Sequence, residues 1–150
     1  NIKAAKIHSK KNKLKIKYIY KDNEKSKLDE KFDLILMFEV LEHLDNWEKT
    51  NKNIKKNLHK DGIIIFSTII RIFLSKLFAI NIAENILHWI PKGTHDYNKL
   101  IKPEELKKTL TQENLHFKNI KGLVFDPLSR EWRLSKNFMV NYFCTANLIN

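Results

Sequence analysis

The chain has 150 residues, 43% apolar and 30% charged, with a formal net charge of +11 and a single cysteine. This composition fits one globular domain with a real core and excludes both a disordered chain and a disulfide-stapled secreted scaffold. Nearly all the positive charge is lysine, the arginines being Arg71, Arg130 and Arg133, so bidentate contacts to phosphates and bases are poorly supplied and no nucleic-acid partner is expected.

Asn1 to Lys11 lacks the apolar segment of a secretory signal. A first residue other than Met points to a longer protein or an interrupted reading frame. Ile2 to Lys11 is predicted as the last turns of a helix, with Ala4, Ala5 and Ile7 inward. Leu14, Ile16, Tyr18 and Tyr20 alternate with Lys13, Lys15, Lys17 and Lys21, which predicts a strand with one wet face near a sheet edge. Asp22 to Lys31 is a charged connector. Phe32 to Phe38, FDLILMF, is too short for a stable helix and apolar on both faces, as a central parallel strand is.

Trp47 to Leu58 is an amphipathic helix by its spacing, with Lys60-Asp61-Gly62 ending it and Gly62 supplying the turn. Gly62 to Ile70 is a second buried strand of β-branched residues. Alternation of strands with helices argues a parallel sheet covered on both faces. Ile69 to Pro91 is of membrane-spanning length but interrupted by Arg71, Lys76 and Glu84. Two readings stay open for it: an interfacial amphipathic helix, or helices packed over the sheet or a pocket. Lys92 to Asp96 is a polar loop. Lys102-Pro103-Glu104-Glu105-Leu106 opens a helix running to about Glu113, with Pro103 and acids in its first turn. Phe117 to Val124 and Val140 to Thr145 are two further strands, and Asp126 to Lys136 between them has no clear period. Cys144 is expected as a buried bystander thiol in a reducing compartment. No repeat or linker divides residues 1–150.

The chemistry concentrates after the first buried strand. If the chain turns helical at Glu39, then Glu39, Glu42 and His43 share one face. They would do so at the carboxyl end of a parallel strand, where open α/β sheets bind ligands. Two carboxylates and an imidazole suit a hard or borderline divalent ion such as Mg²⁺. A catechol chelated there would become easier to deprotonate. The same residues also suit the first turn of a surface helix, with acids favoured by the dipole and His43 incidental. His95 beside Asp96 is a candidate general base or fourth ligand; on the residues alone a solvated loop histidine is preferred. The glycines are Gly62, Gly93 and Gly122, and none belongs to a phosphate-binding loop.

Together the blocks FDLILMFEVLEH, HKDGIIIFSTI, IPKGTHDYNKLIKPEEL, GLVFDPLSREWRLS and VNYF closely resemble the ubiquinone-biosynthesis O-methyltransferase family. The resemblance implies a partial class I methyltransferase (Rossmann-like) α/β sheet, strands three to seven, with an amphipathic helical insertion over residues 69–91. It implies O-methylation of a polyprenylated catechol or phenol by S-adenosylmethionine. Phe38 aligns with a residue lining the S-adenosylmethionine pocket, Glu39, Glu42 and His43 with ligands of a divalent metal, and His95 with a substrate-side histidine. The 69–91 insertion aligns with a segment that meets an anionic membrane. The implied location is cytoplasmic, on the inner membrane face, within reach of other ubiquinone-biosynthesis proteins. Family members carry a glycine-rich cofactor loop and a ribose-holding acid ahead of the region that Asn1 opens, and this sequence has neither. The expectation is therefore an incomplete domain that folds marginally and binds the cofactor poorly alone. A ribose methyltransferase acting on RNA 3′ ends, and a non-catalytic membrane-bound remnant, are the rival readings.

Overall fold

The computed structural model describes residues 2–20, 28–72, 96–126, 128–138 and 140–149. Helix α1 (Ile2–Lys11) precedes strand β1 (Phe32–Phe38), helix α2 (Trp47–Lys56) and strand β2 (Leu58–Ile69). Helix α3 (Pro103–Gln112) follows, then strands β3 (Leu115–Asp126), β4 (Glu131–Ser135) and β5 (Asn141–Leu148). They form a five-stranded sheet of order β1-β2-β5-β3-β4. β1 and β2 are parallel, as the alternation of strands and helices requires. β5 runs antiparallel between β2 and β3, and β4 folds back on β3 as a hairpin.

Helices α2 and α3 are set by local signals. Asn46 caps α2, its side chain accepting from the Lys49 N–H at 2.8 Å. Pro103 opens α3, and Glu105 Oε2 accepts from the Lys102 N–H at 3.0 Å. Leu106 and Leu110 of α3 are fully buried. They pack in one cluster with Met37, Ile64, Phe66 and Tyr142 from the sheet. The opposite face of β1 is different: Leu34, Leu36 and Phe38 are each about half exposed, at 52%, 52% and 46%.

Four expectations are corrected. Leu14 to Tyr20 is not a strand; no described strand lies beside it to complete a ladder, and the Tyr18 hydroxyl instead donates to the Ala5 carbonyl at 2.9 Å. In α1, Ala4 and Ile7 face solvent. Gly62 does not end α2, which stops at Lys56; it lies inside β2, where the pairing slips between Phe32/Leu58 and Leu34/Ile63. An added Cβ at Gly62 would sit 2.8 Å from Leu58 Cδ1, so the glycine serves that close approach. Asp126 to Lys136 holds an extra strand, β4, whose turn is tied by Asp126 Oδ1 accepting from the Leu128 N–H at 3.0 Å. Of the Ile69–Pro91 insertion, residues 73–91 lie outside the described residues. Among the described residues no helix is long and apolar enough to cross a membrane.

Cys144 is buried, and burial pushes its thiol up from 9.0 to about 12. Neighbouring Tyr142 is raised as well, chiefly by burial and then by the Cys144 and Glu42 charges. A raised acid keeps its proton in the folded state, so this stability is full below pH 9.0 and is lost as pH climbs toward about 12. We expect melting temperatures to fall from about pH 9 toward about pH 12, with a limiting slope of ~1.4 kcal/mol per pH unit per group between those values. Cys144→Ala should flatten that fall; an equally steep one in the variant would move the cause elsewhere.

Candidate functional site

The carboxyl ends of β1 and β2 lie side by side, Phe38 pairing with Ser67. At Glu39 the backbone turns left-handed, with φ 50°. That conformation is uncommon for a residue with a side chain. It is held by Ser67: the Glu39 N–H donates to the Ser67 carbonyl at 3.0 Å and to Ser67 Oγ at 3.2 Å, and the Ser67 hydroxyl donates to Glu39 Oε1 at 2.7 Å. The turn ends β1 and aims the chain into a short 3₁₀ turn, Leu41–His43, pinned by the fully buried Leu41.

Glu42 follows Leu41 into the interior and is 3% exposed. The Thr68 hydroxyl donates to its Oε2 at 3.0 Å, while Oε1 is buried with no hydrogen-bond partner. Ser67 and Thr68 are consecutive in β2, so their side chains point to opposite faces of the sheet. Glu39 is thereby bound on one face and Glu42 on the other. His43 is exposed, its N–H donating to the Val40 carbonyl at 3.1 Å. The expected single helical face carrying Glu39, Glu42 and His43 does not form, because the left-handed Glu39 breaks the helical phase before it starts. Among the described residues no three His, Cys, Asp or Glu side chains gather as a metal-holding group. The donor chemistry still suits a hard divalent ion, and the orphaned Glu42 Oε1 is the kind of atom such an ion satisfies.

Phe38 stands at the same sheet end, half exposed, edge-on to Phe143 with ring centroids 5.6 Å apart and planes at 73°. This half-exposed aromatic surface is open to an apolar or aromatic ligand. His95 lies outside the described residues. Its neighbour Asp96 caps a 3₁₀ turn, Tyr97–Lys99, its Oδ1 accepting from the Asn98 N–H at 2.9 Å. Ser67, Thr68 and Phe143 are additions to the expected site. A Ser-Thr pair closing the apolar run GIIIFSTI is the signal that marks the first two: hydroxyls in a buried strand need partners.

Two adjacent parallel strands, with an antiparallel strand inserted between β2 and β3, make an open α/β sheet, and the carboxyl ends of its parallel strands are where such sheets bind ligands. Residues 3–119 match the family model described as a methyltransferase domain, and the chain belongs to that family. It is 43% identical over 143 residues to the ubiquinone biosynthesis O-methyltransferase of Rickettsia typhi, covering 95% of this chain and 58% of the relative. It is 42% identical over 142 residues to the protein of that name from Pelagibacter ubique, covering 95% and 59%. The chain thus spans less than two thirds of the length of these relatives. Among solved structures, an S-adenosylmethionine-dependent methyltransferase from Clostridium acetobutylicum superimposes with a TM-score of 0.70 at 12% identity, covering 99% of this chain and 71% of that one. A possible histamine N-methyltransferase from Thermotoga maritima gives 0.60 at 19% identity, covering 85% and 61%. These likenesses establish the partial class I methyltransferase fold.

Proposed function

We propose that the chain is the acceptor-side part of an S-adenosylmethionine-dependent O-methyltransferase acting on a polyprenylated catechol or phenol in ubiquinone biosynthesis. Family membership and the names of the relatives support this reading. The observation that carries it is the Glu39–Ser67 junction: a carboxylate fixed by a hydroxyl, beside an open aromatic ring, where the parallel strands end.

S-adenosylmethionine, when bound, supplies an electrophilic methyl group. The chain's own residues do the rest. Phe38 gives the cofactor an apolar wall, and Phe143 props that ring. Ser67 holds the Glu39 carboxylate toward the crevice. His95 is assigned as the base that takes the acceptor's hydroxyl proton as the phenolic oxygen receives the methyl group. Of the ligands that the resemblance assigns, Glu42, whose Oε1 has no hydrogen-bond partner, would be the one offered to a divalent ion such as Mg²⁺, which would supply Lewis acidity toward that hydroxyl; Glu39 and His43 are not gathered with it among the described residues. Residues 69–91 are assigned to the anionic cytoplasmic face of the inner membrane, where an isoprenoid substrate resides.

The test is a hybrid enzyme in which residues 1–150 replace the matching segment of the Rickettsia typhi relative. We expect it to transfer a labelled methyl group to a prenylated catechol. A hybrid that binds S-adenosylmethionine but leaves the catechol unlabelled overturns the reading.

A further inference from the structure

The β3–β4 hairpin carries apolar surface that the site described above does not use. Phe125 pairs with Trp132 across it, ring centroids 5.2 Å apart, and Leu123 pairs with Leu134. Trp132 is nonetheless 63% exposed and Phe125 44%. Residues 137–138 pass over Gly122, so closely that a Cβ there would lie 1.9 Å from the Asn137 carbonyl oxygen. Between this crossing segment and the hairpin lies a groove of about 510 Å³, lined by Leu123, Val124, Phe125, Trp132, Asn137, Val140 and Asn141.

The groove lies next to the candidate site along the sheet. Val140 accepts from the Ile70 N–H at 3.0 Å, and Asn141 pairs with Ile69. Ser67, which holds Glu39, lies two residues before Ile69, roughly 7 Å along the same strand. Asn141 also fixes the groove floor, its Oδ1 accepting from the Leu123 N–H at 2.9 Å. An aromatic head group held by Glu39 at the end of β1 therefore has the apolar groove beside it, its near wall at Val140 and its far wall at Trp132.

The geometry points to this groove as the binding site for the isoprenoid tail of the acceptor, with Trp132, Phe125 and Val140 as its walls. The inference rests on the proposed reaction for the identity of the head group; the apolar-chain site itself does not. A tail held here places the reacting hydroxyl without contacting it, so the residues set KM for tailed acceptors and leave the chemistry alone. The opposite assignment, that the hairpin rests on a lipid surface, predicts that its exposed tip at Leu128 matters most; Leu128 is outside the groove lining.

Calorimetry with farnesol on the hybrid enzyme, without S-adenosylmethionine, tests the site independently of turnover. We expect farnesol to bind, Trp132→Asp and Phe125→Asp each to weaken it about tenfold or more, and Leu128→Asp to leave it unchanged. In turnover, Trp132→Asp should raise KM for a prenylated catechol by about the same factor while kcat/KM for a tailless catechol stays within about twofold. Farnesol bound equally by all variants overturns the proposal, even if methyl transfer is found. Groove-dependent farnesol binding with no methyl transfer keeps the apolar-chain site and removes only the reaction. Loss of flotation on phosphatidylglycerol vesicles in Leu128→Asp and Trp132→Asp, with farnesol binding intact, assigns the hairpin to the membrane and overturns the tail site.

Discussion

Glu42→Gln in the hybrid enzyme is expected to lower methyl transfer on the order of 100-fold while leaving the melting temperature unchanged or higher. The two halves of this result come from the same contacts. Glu42 is buried with one oxygen bonded to Thr68 and the other to nothing. A carboxylate removed from water and half satisfied is a poor stabiliser of a fold. The amide of Gln keeps the shape and an acceptor oxygen for Thr68 and loses the charge. Stability should therefore not suffer. Activity should, because a neutral amide is a far weaker ligand for a divalent ion than a carboxylate. Turnover with and without added Mg²⁺, alongside melts, decides the matter. Unchanged turnover removes Glu42 from the scheme, and a melting temperature lowered by several degrees makes it a structural residue.

The parts of the fold legible in the sequence were those where burial and local signals agree. Phe32 to Phe38 is apolar enough to be a strand in any context, although it stands at the edge of the described sheet with one face about half exposed rather than at the centre, and α3 announces itself through Pro103, two acids and the Leu106–Leu110 spacing. Alternation alone was a weaker guide. Leu14 to Tyr20 has the better period-two pattern, yet a strand also needs a neighbour, and pattern says nothing about neighbours. Conversely, Trp132 and Leu134 alternate with polar residues over so short a stretch that β4 could not be told from coil until β3 supplied its partner.

At the site, the residue types were legible and their arrangement was not. Placing Glu39, Glu42 and His43 on one face assumed that helical phase runs from Glu39. No local pattern warns that Glu39 is left-handed; its conformation is fixed by Ser67, 28 residues away. Glu42 became distinctive only through Thr68 and Tyr142, which strand pairing brings to it. Such contacts are set by register, which one sequence does not print.

Gly122→Val should cost about 3 kcal/mol or more and lower the melting temperature by roughly 10 °C. The added Cβ would lie 1.9 Å from the Asn137 carbonyl oxygen and 2.8 Å from both the Asn137 carbonyl carbon and Phe138 Cα. All three are backbone atoms, so no side chain can swing aside. The 137–138 segment must lift or β3 must bend, and either movement disturbs the Leu123–Asn141 bond beneath it. Gly62→Ala is the instructive contrast. Its nearest obstacle, Leu58 Cδ1 at 2.8 Å, ends a flexible side chain, although the Phe32 carbonyl at 3.0 Å limits the relief. About 1 kcal/mol is expected there. Thermal melts of the two variants should separate clearly. A Gly122→Val chain melting within about 2 °C of the parent would mean that residues 137–138 do not cross β3 as described, and the wall they give the hairpin groove would go with them.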